Sequence, residues 1–199
     1  PDYEPDPSTS IAAVAAREGR DPLEVTYDLM LRRGGHELLY LPLLGYVNGS
    51  LDDIGEMLRH PGTVLGLGDG GAHCGVLCDA SLPTFMLTHW ARDRSRGDTL
   101  PVEQVVHHQT RRTAMLYGFE DRGLLQPGYL ADLNVIDLDG LGLEAPQMAY
   151  DLPAGGKRLI QRAHGYLATV KSGEVVRERD AATGARPGGV LRGAQPAPA

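Results

Sequence analysis

The most constraining stretch of the sequence is residues 63–73, which read TVLGLGDGGAH. Its first residues are apolar or β-branched, a pattern typical of a short buried strand. Glycines then flank Asp69, and His73 follows four residues later. Glycine permits positive φ and a close approach of the backbone to a ligand. Because α/β enzymes place functional groups at the carboxyl ends of strands, the stretch predicts a functional carboxylate at Asp69, with a solvated turn as the alternative.

Two helices are predicted near the start of the chain. A serine or threonine among residues 8–10 can cap a helix over 11–17, which Gly19 ends. Asp21 and Pro22 are a typical helix start, with Asp as the N-cap and Pro at the first helical position. One apolar stripe follows on this second helix, formed by Leu23, Tyr27, Met30 and Leu31.

Residues 21–69 are predicted to alternate between helix and strand. After the second helix, residues 37–40 are a candidate strand that Pro42 limits. A capping-box pattern predicts a helix over 50–60, and the strand pattern at 63 comes next. This order is typical of parallel βα units.

A further helix pair and two histidines follow. Residues 84–93 predict one helix, and Pro101 begins a better one that Gly118 ends. The second helix has four residues predicted to face inward, namely Val102, Val105, Val106 and Leu116. Adjacent helical residues point about 100° apart, so His107 and His108 cannot chelate one metal, and we expect one to pack and the other to face solvent.

The last part of the chain predicts antiparallel β structure. Residues 130–137 alternate with period two, as a half-buried strand does. Two strand patterns over 166–171 and 174–177 flank a Ser-Gly turn and predict a hairpin. Residues 184–199 contain few large apolar side chains that could be buried, and they are predicted to be a flexible tail.

Composition narrows the class of partner. The net charge of −7 argues against a nucleic-acid surface and against an anionic membrane. No apolar run approaches the roughly 20 residues of a membrane span. Cys74 and Cys78 do not form a disulfide framework, so the expected location is the cytoplasm.

The sequence matches the motifs of dinucleotide-binding and zinc-binding sites only weakly. Gly66, Gly68 and Gly71 match the spacing of a dinucleotide fingerprint, but no clear helix and second strand follow. The two cysteines lack a second pair, and the seven histidines never occur as His-x-His. The spacing of residues therefore assembles no catalytic zinc site by itself.

Several segments together resemble the N-acyl-D-amino-acid deacylase family of the metal-dependent amidohydrolase superfamily. The more specific ones are the Asp-Gly-Gly-Ala-His turn and the Leu-Thr-His-Trp segment. The Ala-Asp-Leu-x-Val-x-Asp strand is shared by many amidohydrolases. The resembling segments are residues 66–73, 78–84, 88–94, 110–123, 128–137, 171–175 and 183–188.

The resemblance implies an α/β fold, the C-terminal portion of a (β/α)8 barrel plus strands of a small β-sandwich. Residues 1–118 would supply the last βα units, 119–183 the sandwich part and 184–199 the tail. Asp69 would end the eighth strand, contact the metal and act as general base and acid. His73, Gly70 and Gly71 would bind substrate. The implied cofactor is zinc, as one or two divalent ions.

The metal histidines of that family are expected upstream of Pro1, so the chain is expected to be a C-terminal fragment, inactive and without catalytic metal by itself. The expected partner is an N-acyl amino acid or a related small amide, with homo-oligomerisation left open. Two alternatives remain: an amidohydrolase of cyclic amides, similar to hydantoinases and dihydropyrimidinases, and a non-catalytic barrel-end module.

Overall fold

The computed structural model of the chain describes residues 1–42, 44–46, 48–66 and 73–198. The chain divides into two compact units, Pro1–His60 and Pro61–Ala199. The α-helices within the described ranges are α1 (Ile11–Glu18), α2 (Pro22–Met30), α3 (Arg32–Gly35), α4 (Asp52–Arg59), α5 (Leu82–Phe85), α6 (Val102–His107) and α7 (Thr113–Leu116). The strands within the same ranges are β1 (Leu133–Ile136), β2 (Gly142–Leu143), β3 (Gln147–Leu152), β4 (Gly156–Ile160), β5 (Ala163–His164), β6 (Tyr166–Lys171), β7 (Glu174–Glu178) and β8 (Ala181–Ala182).

The two predicted N-terminal helices are confirmed, together with their caps. The Ser10 hydroxyl oxygen accepts the N–H of Ala13 at 3.2 Å, and Gly19 ends α1 with a φ of 64°. The Asp21 carboxylate accepts the N–H of Leu23 at 2.7 Å at the start of α2. Such side chains satisfy N–H groups that have no partner inside the helix, which is why these starts can be predicted locally.

The apolar stripe of α2 faces solvent. Leu23, Tyr27, Met30 and Leu31 are each at least 51% exposed. The buried side chain of α2 is Val25, and α1, which packs against α2, buries Ala15. Residues two apart on a helix point about 200° away from each other, so burial of Val25 turns Leu23 toward solvent.

The predicted strands of the first half are wrong wherever the structure describes them. Residues 37–40 and 63–66 are irregular. A strand needs a neighbour to satisfy its backbone groups, and no described segment pairs with either stretch. The predicted helix–strand alternation over 21–69 is therefore not formed in its described part, and the barrel stays a prediction.

The helices of the second unit contain two π-helical stretches. The helix α5 continues as a π-helix, Met86–Asp93, which confirms the helix predicted over 84–93. The helix α6 continues through a π-helix, His108–Arg112, into α7, and Gly118 follows with a φ of 69°. A π-helix makes i→i+5 hydrogen bonds, so it changes the phase of the helix face.

This change of phase separates the four predicted inward residues. Val105 is fully buried where α6 packs against the π-helix Met86–Asp93, as predicted, and Val102 is half-buried. Val106 and Leu116 are exposed, so their predicted burial is wrong. Val106 points about 100° away from Val105, and Leu116 lies beyond the π-helical stretch.

The strands pair antiparallel throughout the described residues, as predicted for 119–180. One sheet has the order β1-β6-β7-β8, and two smaller pairs are β2-β5 and β3-β4. The predicted hairpin joins β6 to β7 through Ser172 and Gly173, whose φ values of 53° and 82° fit a tight turn with two left-handed residues.

Some predictions about organisation stay predictions. These are the β-sandwich, the domain limits at 118 and 183, and the flexibility of residues 184–199. Within that last segment, the N–H of Gln195 donates to the carbonyl of Gly118 at 2.8 Å. The carbonyl of Gln195 accepts a hydrogen bond from the N–H of Glu120 at 2.9 Å. None of the helices in the described part of the chain is long and apolar enough to cross a membrane.

Candidate functional site

The proposed catalytic turn falls largely outside the described residues. Asp69, Gly70 and Gly71 all belong to residues 67–72, which the structure does not describe. Their predicted roles therefore stay predictions. The described part of the candidate site begins at His73 and includes the elements that hold the chain after it.

His73 is exposed and adopts a left-handed backbone conformation, with a φ of 50°. Histidine tolerates this region better than most residues that carry a Cβ. Its carbonyl accepts the N–H of Val76 at 2.7 Å and the N–H of Leu77 at 3.0 Å, which closes a turn. The His73 backbone is thus fixed by a local turn while its imidazole faces solvent, where it can meet a ligand.

The chain that follows His73 is bound to the β-strands at three points. The N–H of Leu159 in β4 donates to the carbonyl of Cys74 at 2.6 Å. The Ser81 hydroxyl donates to the Gln161 side-chain carbonyl at 2.6 Å. Further along, the hydroxyl of the buried Thr84 lies 2.7 Å from the Tyr166 hydroxyl of β6. These contacts connect the candidate site to the antiparallel strands.

The two cysteines between these points are free and half-buried. Burial raises the pKa of the Cys78 thiol, and the nearby Asp79 carboxylate raises it further. A raised pKa keeps a thiol protonated at neutral pH, and the thiol is a far weaker nucleophile than the thiolate. Cys78 therefore has the chemistry of a packing residue.

The adjacent histidines on α6 divide as predicted. His107 is exposed and His108 is buried. The His108 Nε2 atom lies 3.4 Å from the amide nitrogen of Gln104 and 3.4 Å from a guanidinium nitrogen of Arg112. Burial lowers the pKa of His108, and the charge of Arg112 lowers it further, so the ring is neutral and its Nε2 accepts.

The Leu-Thr-His-Trp segment, which carried part of the resemblance, lies in the core of its unit. Trp90 is 1% exposed, and the Arg94 guanidinium lies 4.7 Å from the centre of its ring. His89 stacks on Phe85 with ring centres 4.7 Å apart. In the described structure this segment therefore contributes packing.

The described residues contain no group of side chains that could hold a metal ion. Among residues 1–42, 44–46, 48–66 and 73–198, no three His, Cys, Asp or Glu side chains lie close enough to hold one ion. Zinc in proteins takes three or four such ligands. The described part of the chain therefore does not fit a zinc centre by itself.

The strands also line a cleft of about 770 Å³ within the second unit. At one wall the Arg158 guanidinium forms two 2.7 Å hydrogen bonds with the Asp151 carboxylate. At another, the Asp180 carboxylate accepts the N–H groups of Gly165 and Tyr166. Asp151, Arg158 and Asp180 therefore use hydrogen bonds to hold the walls of the cleft together.

Comparison with known proteins decides the family. A sequence profile of the amidohydrolase family matches residues 7–177, which is most of the chain. The chain belongs to the amidohydrolase family. This membership puts the protein among the hydrolases of the metal-dependent amidohydrolase superfamily. No curated protein and no solved structure matches the chain.

The contacts that hold the chain after His73 have no signal in the sequence. Ser81 and Gln161 are separated by 80 positions, and Thr84 and Tyr166 by 82. Neither pair has a motif or a spacing that predicts it. Only the fold of this amidohydrolase brings them together.

Proposed function

We propose that this amidohydrolase cleaves a linear amide, converting an N-acyl-D-amino acid into a carboxylate and a D-amino acid. The observation that carries the proposal is the family match over residues 7–177, combined with the Asp-Gly-Gly-Ala-His sequence of residues 69–73. That sequence and the Leu-Thr-His-Trp segment resemble the deacylase family more specifically than the other matching segments do.

In this proposal Asp69 is the general base and then the general acid. Its carboxylate accepts a proton as the water oxygen bonds to the amide carbonyl carbon. It then returns that proton to the amide nitrogen as the carbon–nitrogen bond breaks. The hydroxyl group of the water ends on the carboxylic acid and its other hydrogen on the amine, so no other reactant is needed.

His73, Gly70 and Gly71 are proposed to bind the substrate. The exposed imidazole of His73 supports this role because it is held on a fixed turn and available to a ligand. An N-acyl amino acid carries a carboxylate and an amide carbonyl, and both accept hydrogen bonds from an imidazole N–H or from backbone N–H groups.

Zinc is the proposed cofactor, since the superfamily is generally metal-dependent. A bound divalent ion would polarise the amide carbonyl and activate water. The described residues hold no group of ligands for it. We propose that its ligands belong to residues outside those that the structure describes.

The substrate class is tested with the complete gene product that carries these 199 residues, purified with zinc and assayed on three compounds. These are an N-acetyl-D-amino acid, its L enantiomer and a hydantoin. The proposal predicts release of the free D-amino acid and little turnover of the other two. Turnover of the hydantoin alone would favour the cyclic-amide alternative, and no turnover of any of the three would favour a non-catalytic module.

A further inference from the structure

The loop over residues 74–81 is attached at both ends to one short stretch of the β structure. At its start, the carbonyl of Cys74 accepts the N–H of Leu159. At its end, the Ser81 hydroxyl donates to the side chain of Gln161. The two anchors on the β side lie at the end of β4 and just beyond it, so they form one support.

Gln161 is the centre of this support because it uses both ends of its amide. Its carbonyl oxygen accepts from Ser81 at 2.6 Å, and its NH₂ donates to the backbone carbonyl of Glu144 at 2.8 Å. The backbone of Glu144 in turn donates its N–H to the carbonyl of Arg162 at 2.9 Å. The amide is therefore fixed by the strand region before it reaches the loop.

We propose that Gln161 is a positioning residue for His73 in the reaction. This inference rests on the proposed function, in which His73 contacts the substrate. Gln161 holds the far end of the 74–81 loop, while the bond from Leu159 to Cys74 holds the end next to His73. With the amide removed, the loop loses its hydrogen bond at Ser81, and the turn at His73 becomes less well defined.

The first test measures KM and kcat separately in the complete gene product. Gln161→Ala removes both hydrogen bonds and is expected to raise KM about five- to tenfold, with a smaller change in kcat. Partial unfolding would lower the concentration of active enzyme and therefore the apparent kcat, but it would leave KM unchanged. A rise in KM thus separates positioning from a loss of structure.

Three variants complete the comparison. Ser81→Ala removes only the loop hydroxyl and is expected to raise KM in the same direction. Gln161→Glu still accepts from Ser81 but no longer donates to Glu144 when ionised, so its KM should lie between wild type and Gln161→Ala. The matched control is Gln147→Ala, an exposed glutamine of β3 opposite Ile160, which should keep the wild-type KM.

The second test does not depend on activity. Hydrogen exchange is followed for a peptide over residues 73–80, which contains the Val76 and Leu77 amides bonded to His73. Exchange should be faster in Gln161→Ala than in wild type, and unchanged in Gln147→Ala. Such opening reports the local stability of the loop.

The outcomes separate the two proposals. If wild type turns over the D-substrate while Gln161→Ala keeps the wild-type KM or the wild-type exchange rate, the positioning role is overturned and the proposed function stands. If wild type has no turnover, the proposed function fails, and the positioning role fails with it even when exchange becomes faster. A higher KM together with faster exchange supports both.

Discussion

The core of the second unit provides a matched pair of valines for a quantitative test. Val105 is 0% exposed where α6 packs against the π-helix Met86–Asp93, whereas the adjacent Val106 is 46% exposed. Replacing each with alanine removes the same two methyl groups and gives the same gain in helix propensity. The difference between the variants therefore measures burial.

The expected difference follows from the area that each side chain removes from water. Two buried methyl groups contribute about 1.6 kcal/mol of transfer free energy. The cavity left at a close-packed site brings the cost of Val105→Ala to about 2–3 kcal/mol. Val106 is half exposed and buries less apolar area, so Val106→Ala should lower the free energy of unfolding by less than about 1 kcal/mol.

Urea denaturation followed by tryptophan fluorescence gives this measurement. Trp90 is the single tryptophan of the chain and lies in the same unit as both valines. Its emission therefore reports the unfolding of the unit that contains both valines. Equal losses of unfolding free energy in the two variants, or a larger loss in Val106→Ala, would refute the packing described for α6.

Three further predictions concern a cap, a carboxylate and the metal. Ser10→Ala should destabilise the first unit by about 1 kcal/mol in thermal denaturation followed by circular dichroism, because it removes the cap of α1. Burial raises the pKa of Asp132, but hydrogen bonds from Lys171 and the Ser172 N–H outweigh it and lower the pKa below 3.8. Its stabilisation is therefore present above the unfolded-state pKa and is lost as the pH falls through the lowered value. Because these hydrogen bonds are exposed and solvent screens the ion pair, Asp132→Asn should cost less than about 1 kcal/mol at pH 7 in urea denaturation, and progressively less in acid. The purified 199-residue chain should bind substoichiometric zinc by elemental analysis, since its described residues form no ligand group; one tightly held ion per chain would contradict this.

The features that could be predicted from the sequence are those whose physical cause is local. The helix caps act on atoms only a few positions away in the chain. Ser10 and Asp21 accept backbone N–H groups at helix starts, and Gly19 ends α1, so these roles can be inferred without knowledge of the fold. The Ser172–Gly173 turn is similar, because two left-handed residues determine the hairpin by themselves. The separation of His107 from His108 also follows from helix geometry alone.

The features that could not be predicted depend on a distant partner. The stripe that begins at Leu23 is apolar enough to be buried, yet it is exposed to solvent. The strand patterns at 37–40 and 63–66 form no strand pair with any described segment. Periodicity indicates which face could be buried and does not say what lies against it. The support from Gln161 could not be predicted for the same reason, since its partner Ser81 is 80 positions away.

The central claim is that Asp69 transfers the proton during amide hydrolysis, and one substitution tests it directly. Asp69→Asn keeps the size of the side chain and removes its basicity. It is compared with Asp53→Asn, an exposed carboxylate in the first turn of α4. Both are assayed in the complete gene product on an N-acyl-D-amino acid, with metal content measured in the same samples.

We predict that Asp69→Asn loses turnover by at least about a hundredfold, the scale of general acid–base catalysis, while most of the metal stays bound. Asp53→Asn should keep the wild-type rate. Near-normal turnover of Asp69→Asn would contradict the assignment of the catalytic carboxylate.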